Sequence, residues 1–184
     1  MESYAIDLSW DIISRFSDKK IPKEFYEDWL KVANDEAKHW TMLKNRLEEL
    51  GSFYGSLPVH EGLWESATKT SDSLLIRLCI LHCVHEARGL DTTPKNIQRL
   101  KSSGDKISGD VLQKIFEDEI THVEVGLKWF QIFSNLKEKN ERYELFYKIV
   151  KENFSGILKP PFNKEARELA GMEEEWYIPL SKME

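Results

Sequence analysis

The chain has 184 residues, a length typical of one domain with enough chain to bury a sizeable core. Its 26 Lys and Arg residues against 32 Asp and Glu residues give a net charge of −6, which argues against a protein that holds nucleic acid through phosphate contacts. Hydrophobic residues at 41% and charged residues at 32% indicate a folded chain and not a disordered one. We therefore expect a single domain over 1–184. The charge disfavours a nucleic-acid partner, while a local basic patch and a nucleic-acid substrate are left open.

The sequence predicts neither a membrane span nor a targeting signal. Glu2 follows Met1 at once, so no charged-then-apolar leader begins here. The most apolar stretch, 74–84, contains Arg77 and His82 and is too short to cross a bilayer. We expect no membrane partner.

Cys79 and Cys83 lie four residues apart on one predicted helix, a spacing that rarely has disulfide geometry. They share a helical face with His82 and Glu86, but ligands packed into two turns of one helix cannot surround a tetrahedral zinc ion. We expect reduced core thiols and a cytoplasmic location.

Apolar residues recur in steps of three and four, the period of amphipathic helices, and strand-like alternation is nowhere sustained. The first predicted helix covers 5–16, and the second covers 25–50, follows Pro22 and is capped by Gly51. A loop over 51–62 leads to a third helix over 71–88 and then to a short helix between turns at Pro94 and Gly104. Two further helices cover 108–136 and 138–154, and the tail from Leu158 is mostly irregular. The prediction is an all-α fold with a core bundle over about 1–136 and a C-terminal helix and strap over 137–184.

Four of these helices carry a glutamate on the face that is otherwise apolar, and two of them add a histidine three residues later. The residues are Glu2, Glu36 with His39, Glu86, and Glu119 with His122. The i, i+3 spacing places a carboxylate and an imidazole on one face of a helix.

Ionised carboxylates are costly to bury, and like charges gathered together increase the cost. Two divalent cations would balance four carboxylates, and two neutral imidazoles would complete the coordination. One glutamate from each of two helices plus Glu-x-x-His from each of the other two is the donor set of di-iron and di-manganese sites in helical bundles. We predict such a site, with Glu36 and Glu119 also serving as its catalytic carboxylates.

The motif is repeated within the chain. Residues 35–39 (DEAKH) and 118–122 (DEITH) are both D-E-x-x-H, and a glutamate precedes the motif glutamate by 34 positions in the first case (36 − 2) and by 33 in the second (119 − 86). This pattern predicts two helix pairs related by an internal pseudo-twofold axis.

Asp35 and Asp118 directly precede the two motif glutamates and point about 100° away around the helix. Each could accept a hydrogen bond from the non-ligating N–H of the histidine on the facing helix and so fix its tautomer. The alternative is a pair of solvated acidic residues.

The chain resembles the ferritin-like family known as domain of unknown function 455. The stretches that carry the resemblance are ESYAIDL, IPKEFYEDWLKVANDEAKHW, RLEELGSFYGSLPVHEGLWE, HEARGLDTTP, DEITHVEVGLKWF and PPFNKEARELAGM. The resemblance implies a ferritin-like four-helix core with metal ligands at Glu2, Glu36, His39, Glu86, Glu119 and His122. Relatives usually carry a histidine beside the first glutamate, where this chain has Met1, and Asp7 is the alternative ligand on that helix.

The function predicted from this site is that of an oxidoreductase, a hydroxylase or monooxygenase, that uses dioxygen to oxidise a small-molecule substrate. Two iron ions, or manganese in their place, suit ligands of this kind. The chain has no flavin or dinucleotide fingerprint, so electrons would come from an external donor. The alternatives are a ferroxidase or iron-handling protein and a non-enzymatic binding module stapled by metal. A homodimer is left open as the assembly state.

Overall fold

The structure is a computed structural model that describes residues 2–18 and 20–182. Met1, which precedes the predicted ligand Glu2, lies outside the described residues, as do Lys19, Met183 and Glu184. No described residue belongs to a β-strand, which confirms the predicted all-α class. The helices are α1 (Glu2–Arg15), α2 (Lys23–Glu49), α3 (Gly62–Lys69), α4 (Leu74–Arg77), a π-helical segment (Leu78–His85), α5 (Glu86–Ser102), α6 (Lys106–Ser134), α7 (Lys139–Asn153), α8 (Lys164–Leu169), a 3₁₀ turn (Glu174–Trp176) and α9 (Ile178–Ser181).

Two helical hairpins form the body of the molecule. Helix α1 packs along α2, and α5 packs along α6, while α2 and α6 contact each other between the hairpins. Gly51 ends α2 with a left-handed backbone (φ 79°), as its position predicted. The side chain of Asp105 accepts a hydrogen bond from the backbone N–H of Ser108 and so caps α6. The interior between the hairpins is filled by buried aliphatic and aromatic side chains.

The prediction that the third long helix ends near Arg88, with a turn at Pro94, is wrong. The chain stays helical from Leu74 to Ser102, with Pro94 inside α5. A proline within a helix removes the N–H that would bond to the carbonyl four residues earlier, here that of Leu90. The side-chain amide of Asn163 donates to the Leu90 carbonyl oxygen at 3.2 Å. The freed acceptor is therefore satisfied by the tail, and the helix continues.

The π-helical segment 78–85 interrupts this long helix directly before Glu86. Its wider turn is not visible in the apolar periodicity, since the residues from Leu78 to Val84 are all buried. On α6, Gly126 allows the two helices to approach closely: a Cβ atom at this position would lie 2.4 Å from the carbonyl oxygen of His82. The close contact fixes where the π-helical segment lies against α6.

Helix α7 packs on the π-helical segment, and the chain after it runs back over α5 and α6. The guanidinium of Arg167 donates to both carboxylate oxygens of Asp91 on α5, at 2.9 and 2.7 Å. It also lies against the rings of Phe162 and Tyr177. The tail predicted as an irregular strap thus contains short helical pieces and is anchored to the helix that carries Glu86.

Within the described residues, no helix combines the length and the apolar composition that a membrane span requires.

Candidate metal centre

Glu36 and His39 lie in the middle of α2, on the face that α2 turns towards α6. Both side chains are buried, with Glu36 only 2% exposed and His39 fully covered. The apolar residues that precede them on the same face, Phe25, Trp29 and Val32, belong to the core. The helical period that buries these three also buries the carboxylate and the imidazole.

On α6, Glu119 and His122 hold the corresponding positions. The His122 side chain is buried and the Glu119 side chain is mostly buried. The rings of His39 and His122 face each other across the helix pair with centroids 5.6 Å apart. The two D-E-x-x-H motifs are thus brought together by the packing of α2 on α6.

Each carboxylate lies between the two histidines. Glu36 has Oε2 3.3 Å from Nδ1 of His39 and Oε1 3.2 Å from Nδ1 of His122. Glu119 repeats the arrangement, with Oε1 3.6 Å from Nδ1 of His39 and Oε2 3.5 Å from Nδ1 of His122. Each carboxylate therefore has one oxygen near His39 and the other near His122. The result is two groups of three donor atoms, each made of one histidine Nδ1 and one oxygen from each carboxylate.

The Nδ1 atom of His122 is buried and close to two carboxylate oxygens, yet makes no hydrogen bond of acceptable geometry with either. A proton on this nitrogen would therefore not be directed at either oxygen within hydrogen-bonding geometry. An orphaned buried donor is costly, whereas a lone pair aimed at a shared cation is not. Glu36, His39 and Glu119 also offer ligand atoms within 4.8 Å of one another. The donor set therefore fits a divalent metal that accepts nitrogen and oxygen ligands.

Among the described residues, no Lys or Arg forms an ion pair with Glu36, Glu86 or Glu119; their charged partners within 4 Å are histidines. The carboxylates of Glu36 and Glu119, with that of Glu86 near them, thus meet two imidazoles without a permanent positive charge. Cores rarely tolerate such a group unless protons or cations neutralise it.

Protons are one source of this neutralisation, and the pKa shifts of the cluster favour their uptake. Burial, together with the charges of Glu86 and Glu36, raises the pKa of Glu119 to about 8. Burial alone would lower the pKa of His122, but Glu119 and Glu36 outweigh it and hold that pKa well above its ordinary value. The same balance, with Glu36 and Asp118 as partners, raises the pKa of His39. Contacts with the two histidines lower the pKa of Glu36 against the effect of burial.

Glu86 is the first residue after the π-helical segment and is close enough to raise the pKa of Glu119. Its Oε1 lies 3.8 Å from Nδ1 of His82, a buried ring that packs on the indole of Trp29 with centroids 4.2 Å apart. Burial lowers the pKa of His82. The third predicted carboxylate therefore acts on the cluster through its charge, and a buried histidine precedes it by one turn.

The two aspartates, whose roles the motif predicts to be equivalent, differ. Asp118 lies with Oδ2 3.2 Å from Nε2 of His39 on the facing helix, while its Oδ1 accepts from Nζ of Lys114 at 2.9 Å. Asp35 instead accepts from Nζ of Lys38 on its own helix at 2.8 Å, and Nε2 of His122 is buried without a hydrogen-bond partner in the described part of the chain. Only one half of the repeat has the predicted aspartate–histidine pair.

Glu2 begins α1 and is half-buried, whereas Asp7, the alternative ligand on that helix, is exposed. Among the described residues, the compact group of ligand atoms within 4.8 Å consists of Glu36, His39 and Glu119. Glu2 as a ligand stays a prediction.

Sequence reasoning missed Lys114, whose Nζ donates a hydrogen bond to Oδ1 of Asp118. Its i, i+4 spacing to Asp118 was the available signal, because such pairs lie on one helical face. It also missed the contact of His82 with Trp29, because that contact joins the π-helical segment to α2.

A family model described as "Protein of unknown function (DUF455)" matches residues 1–178. The chain is 32% identical over 180 residues to an "Uncharacterized protein" of Haemophilus influenzae, a match that covers 95% of this chain. The chain spans 62% of the length of that relative. No solved structure matches the chain.

Proposed function

The chain belongs to the DUF455 family, and from its buried Glu–His cluster we propose that it is a ferritin-like protein with a two-metal carboxylate centre. Helices α1, α2, the long helix 74–102 and α6 would form the ferritin-like four-helix core. Glu36 and Glu119 would each bind both ions, and His39 and His122 would each bind one through Nδ1. Glu86 and Glu2 would supply the remaining carboxylates. Iron is the metal best suited to this donor set, with manganese as a substitute.

The observation that carries this proposal is the position of the two carboxylates, each with one oxygen near each histidine. A structural network of ion pairs would bring Lys or Arg to these carboxylates. Here the charged partners among the described residues are histidines, and the Nδ1 atom of each lies near one oxygen of both carboxylates. Two divalent ions would supply the positive charge that this group otherwise obtains from protons.

We propose that the centre serves a dioxygen-dependent oxidation of a small organic substrate, in the manner of a hydroxylase or monooxygenase. Bound iron would supply the redox chemistry, with electrons from an external donor. The chain's own residues would fix the ligand positions: the packing of α2 on α6 sets the distance between the histidines, and the buried surroundings of Glu36 exclude water. The proton that Glu119 holds at neutral pH would leave when metal binds.

Metal content after expression in iron-sufficient medium tests the site. We expect about two equivalents of metal per chain in the parent protein and a loss of most of it in Glu36→Ala and Glu119→Ala. Glu117→Ala is the matched control, because Glu117 is exposed on the same helix and bonds to Gln113. Glu36→Gln and Glu119→Gln preserve the side-chain size should the alanine variants fold poorly. Retention of two equivalents in both glutamate variants would refute the metal centre.

Dioxygen consumption by the iron-loaded protein tests the activity. Uptake that depends on a reductant and yields an oxidised organic product supports the oxidoreductase. Iron taken up far beyond two equivalents per chain would instead indicate a ferroxidase or iron-handling role. Stable binding of two ions with neither behaviour would indicate a bundle that uses metal only for structure.

A further inference from the structure

The two halves of the cluster have the same ligand types but differ in the hydrogen-bond partner of the histidine Nε2 atom. Nε2 of His39 is held by Asp118, and Asp118 is in turn held by Lys114. Nε2 of His122 is buried and has no hydrogen-bond partner among the residues that the structure describes. The aspartate at the equivalent position, Asp35, pairs with Lys38 on its own helix.

This difference acts on the tautomer of each histidine. A neutral imidazole carries one proton, and a histidine that ligates through Nδ1 must carry it on Nε2. For His39, the tautomer with its proton on Nε2 finds an acceptor in Asp118 and leaves the Nδ1 lone pair to the cluster. For His122, the same tautomer leaves a buried N–H without an acceptor, which is unfavourable. The tautomer that ligates is therefore stabilised in one half and disfavoured in the other.

The pair also orients the ring. Asp118 belongs to α6 and His39 to α2, so their contact fixes the imidazole relative to both helices that supply the shared carboxylates. Partners of this kind raise metal affinity by about 10–100-fold where their removal has been measured. His122 lacks such a partner among the described residues.

We infer that the two metal positions are unequal, and that the first ion binds at the His39 half, positioned there by Asp118. This inference rests on the proposed two-metal centre. It treats Asp118 as a positioning residue that acts through His39, and it assigns no such role to Asp35, although the sequence repeat makes the two aspartates look equivalent.

Titration of the metal-free protein with Co²⁺ alone, followed by calorimetry and visible absorption, tests the inference without any turnover. We expect two binding steps whose dissociation constants differ by about 10–100-fold. His39→Ala should abolish the tighter step, and His122→Ala the weaker one. If the two steps coincide in the parent protein, two equal sites exist, and the inference fails while the proposed two-metal centre stands.

Asp118→Ala and Asp35→Ala form the matched pair. Asp118→Ala should weaken the tighter step by about 10–100-fold, and Asp35→Ala should change neither step more than twofold. Asp118→Asn preserves the side-chain size and replaces the alanine variant if that variant unfolds, with thermal melting as the check. Equal effects of the two aspartate variants, or an effect of Asp118→Ala on the weaker step, would overturn the inference. Binding of fewer than two Co²⁺ ions by the parent protein would overturn the proposed function and the inference with it.

Discussion

Glu36 of α2 lies with Oε1 3.2 Å from Nδ1 of His122 on α6, and both side chains are 2% exposed. The contact joins residues 86 positions apart in the sequence (122 − 36), yet each is also three residues from a partner of the other type on its own helix. The local pair and the distant pair thus share one buried space. A carboxylate in this setting must have a positive charge nearby, and the stability of the protein should depend on which charge that is.

The metal-free protein should lose stability as the pH rises from 6.5 to 8. The pKa values of Glu119, His39 and His122 are raised in the folded chain, so over this range these groups bind more protons in the folded chain than in the unfolded chain. Burial lowers the pKa values of His82 and His85, which opposes the trend, but only weakly, because unfolded histidines lose most of their protons above about pH 7. The folded state therefore binds more protons, and its stability falls as the pH rises through the folded pKa values. One extra proton held over this interval of about 1.5 pH units is worth about 2 kcal/mol. At about 2–4 °C per kcal/mol for a chain of this size, we expect the Tm in the presence of a chelator to fall by roughly 4–8 °C.

Thermal melting followed by circular dichroism at pH 6.5, 7.0, 7.5 and 8.0 measures this slope. Glu119→Gln replaces the carboxyl group by an amide that does not titrate, so this variant should show a smaller decrease of Tm with pH. A Tm that rises over the same interval in the chelated protein would contradict the assignment of these protons.

Gly126→Ala should destabilise the protein by about 1–3 kcal/mol, the usual cost of overpacking. The new Cβ would lie 2.4 Å from the carbonyl oxygen of His82, and backbone cannot move aside as a flexible side chain can. Gly89→Ala is the control, because Gly89 is also helical but has no neighbouring atom within 4 Å of the added Cβ. There we expect a gain of about 0.5–1 kcal/mol from helix propensity. Urea unfolding of both variants measures the difference, and equal effects would argue against the close contact.

Arg167→Ala should destabilise the protein by about 3 kcal/mol, because it removes the two-point guanidinium contact of the buried Asp91 carboxylate and leaves Arg88, 3.6 Å away, as its charged partner. Lys164→Ala removes an exposed ion pair with Glu174 from the same helix and should change stability by less than about 1 kcal/mol. Urea unfolding gives both values, and limited proteolysis should cut the tail of the Arg167→Ala variant first. Similar costs for the two variants would show that the buried pair does not anchor the tail.

Cys79 and Cys83 should not react with a thiol reagent while the protein is folded. Both are fully buried, and burial raises the pKa of each thiol. The thiolate is the reactive form, so both its population and its access to the reagent are low. Two thiols per chain should react with Ellman's reagent in denaturant and fewer than about 0.1 per chain in native buffer over minutes. Rapid native labelling would contradict the packing of the π-helical segment.

The outcome for the long helix 74–102 shows what local reasoning could not reach. Pro94 and Gly104 are turn signals by their own chemistry, and only Gly104 marks the end of this helix. The carbonyl that Pro94 leaves free is satisfied by Asn163, a residue far along the chain. The π-helical segment before Glu86 is equally hidden, because its first seven residues, 78–84, are all buried and therefore show no periodic polar face that would reveal the wider turn.

The sequence alone determined the all-α class, the course of α2 and α6, and the choice of Glu36, His39, Glu119 and His122 as neighbours, because helical period is a local property and these four residues interrupt apolar faces. Tertiary structure alone decided that each carboxylate meets both histidines, and that Asp118 rather than Asp35 meets a histidine. The physical reason is that hydrogen-bond partners across helices depend on rotation and translation of one helix against another, to within an ångström. A repeat in the sequence does not specify those quantities.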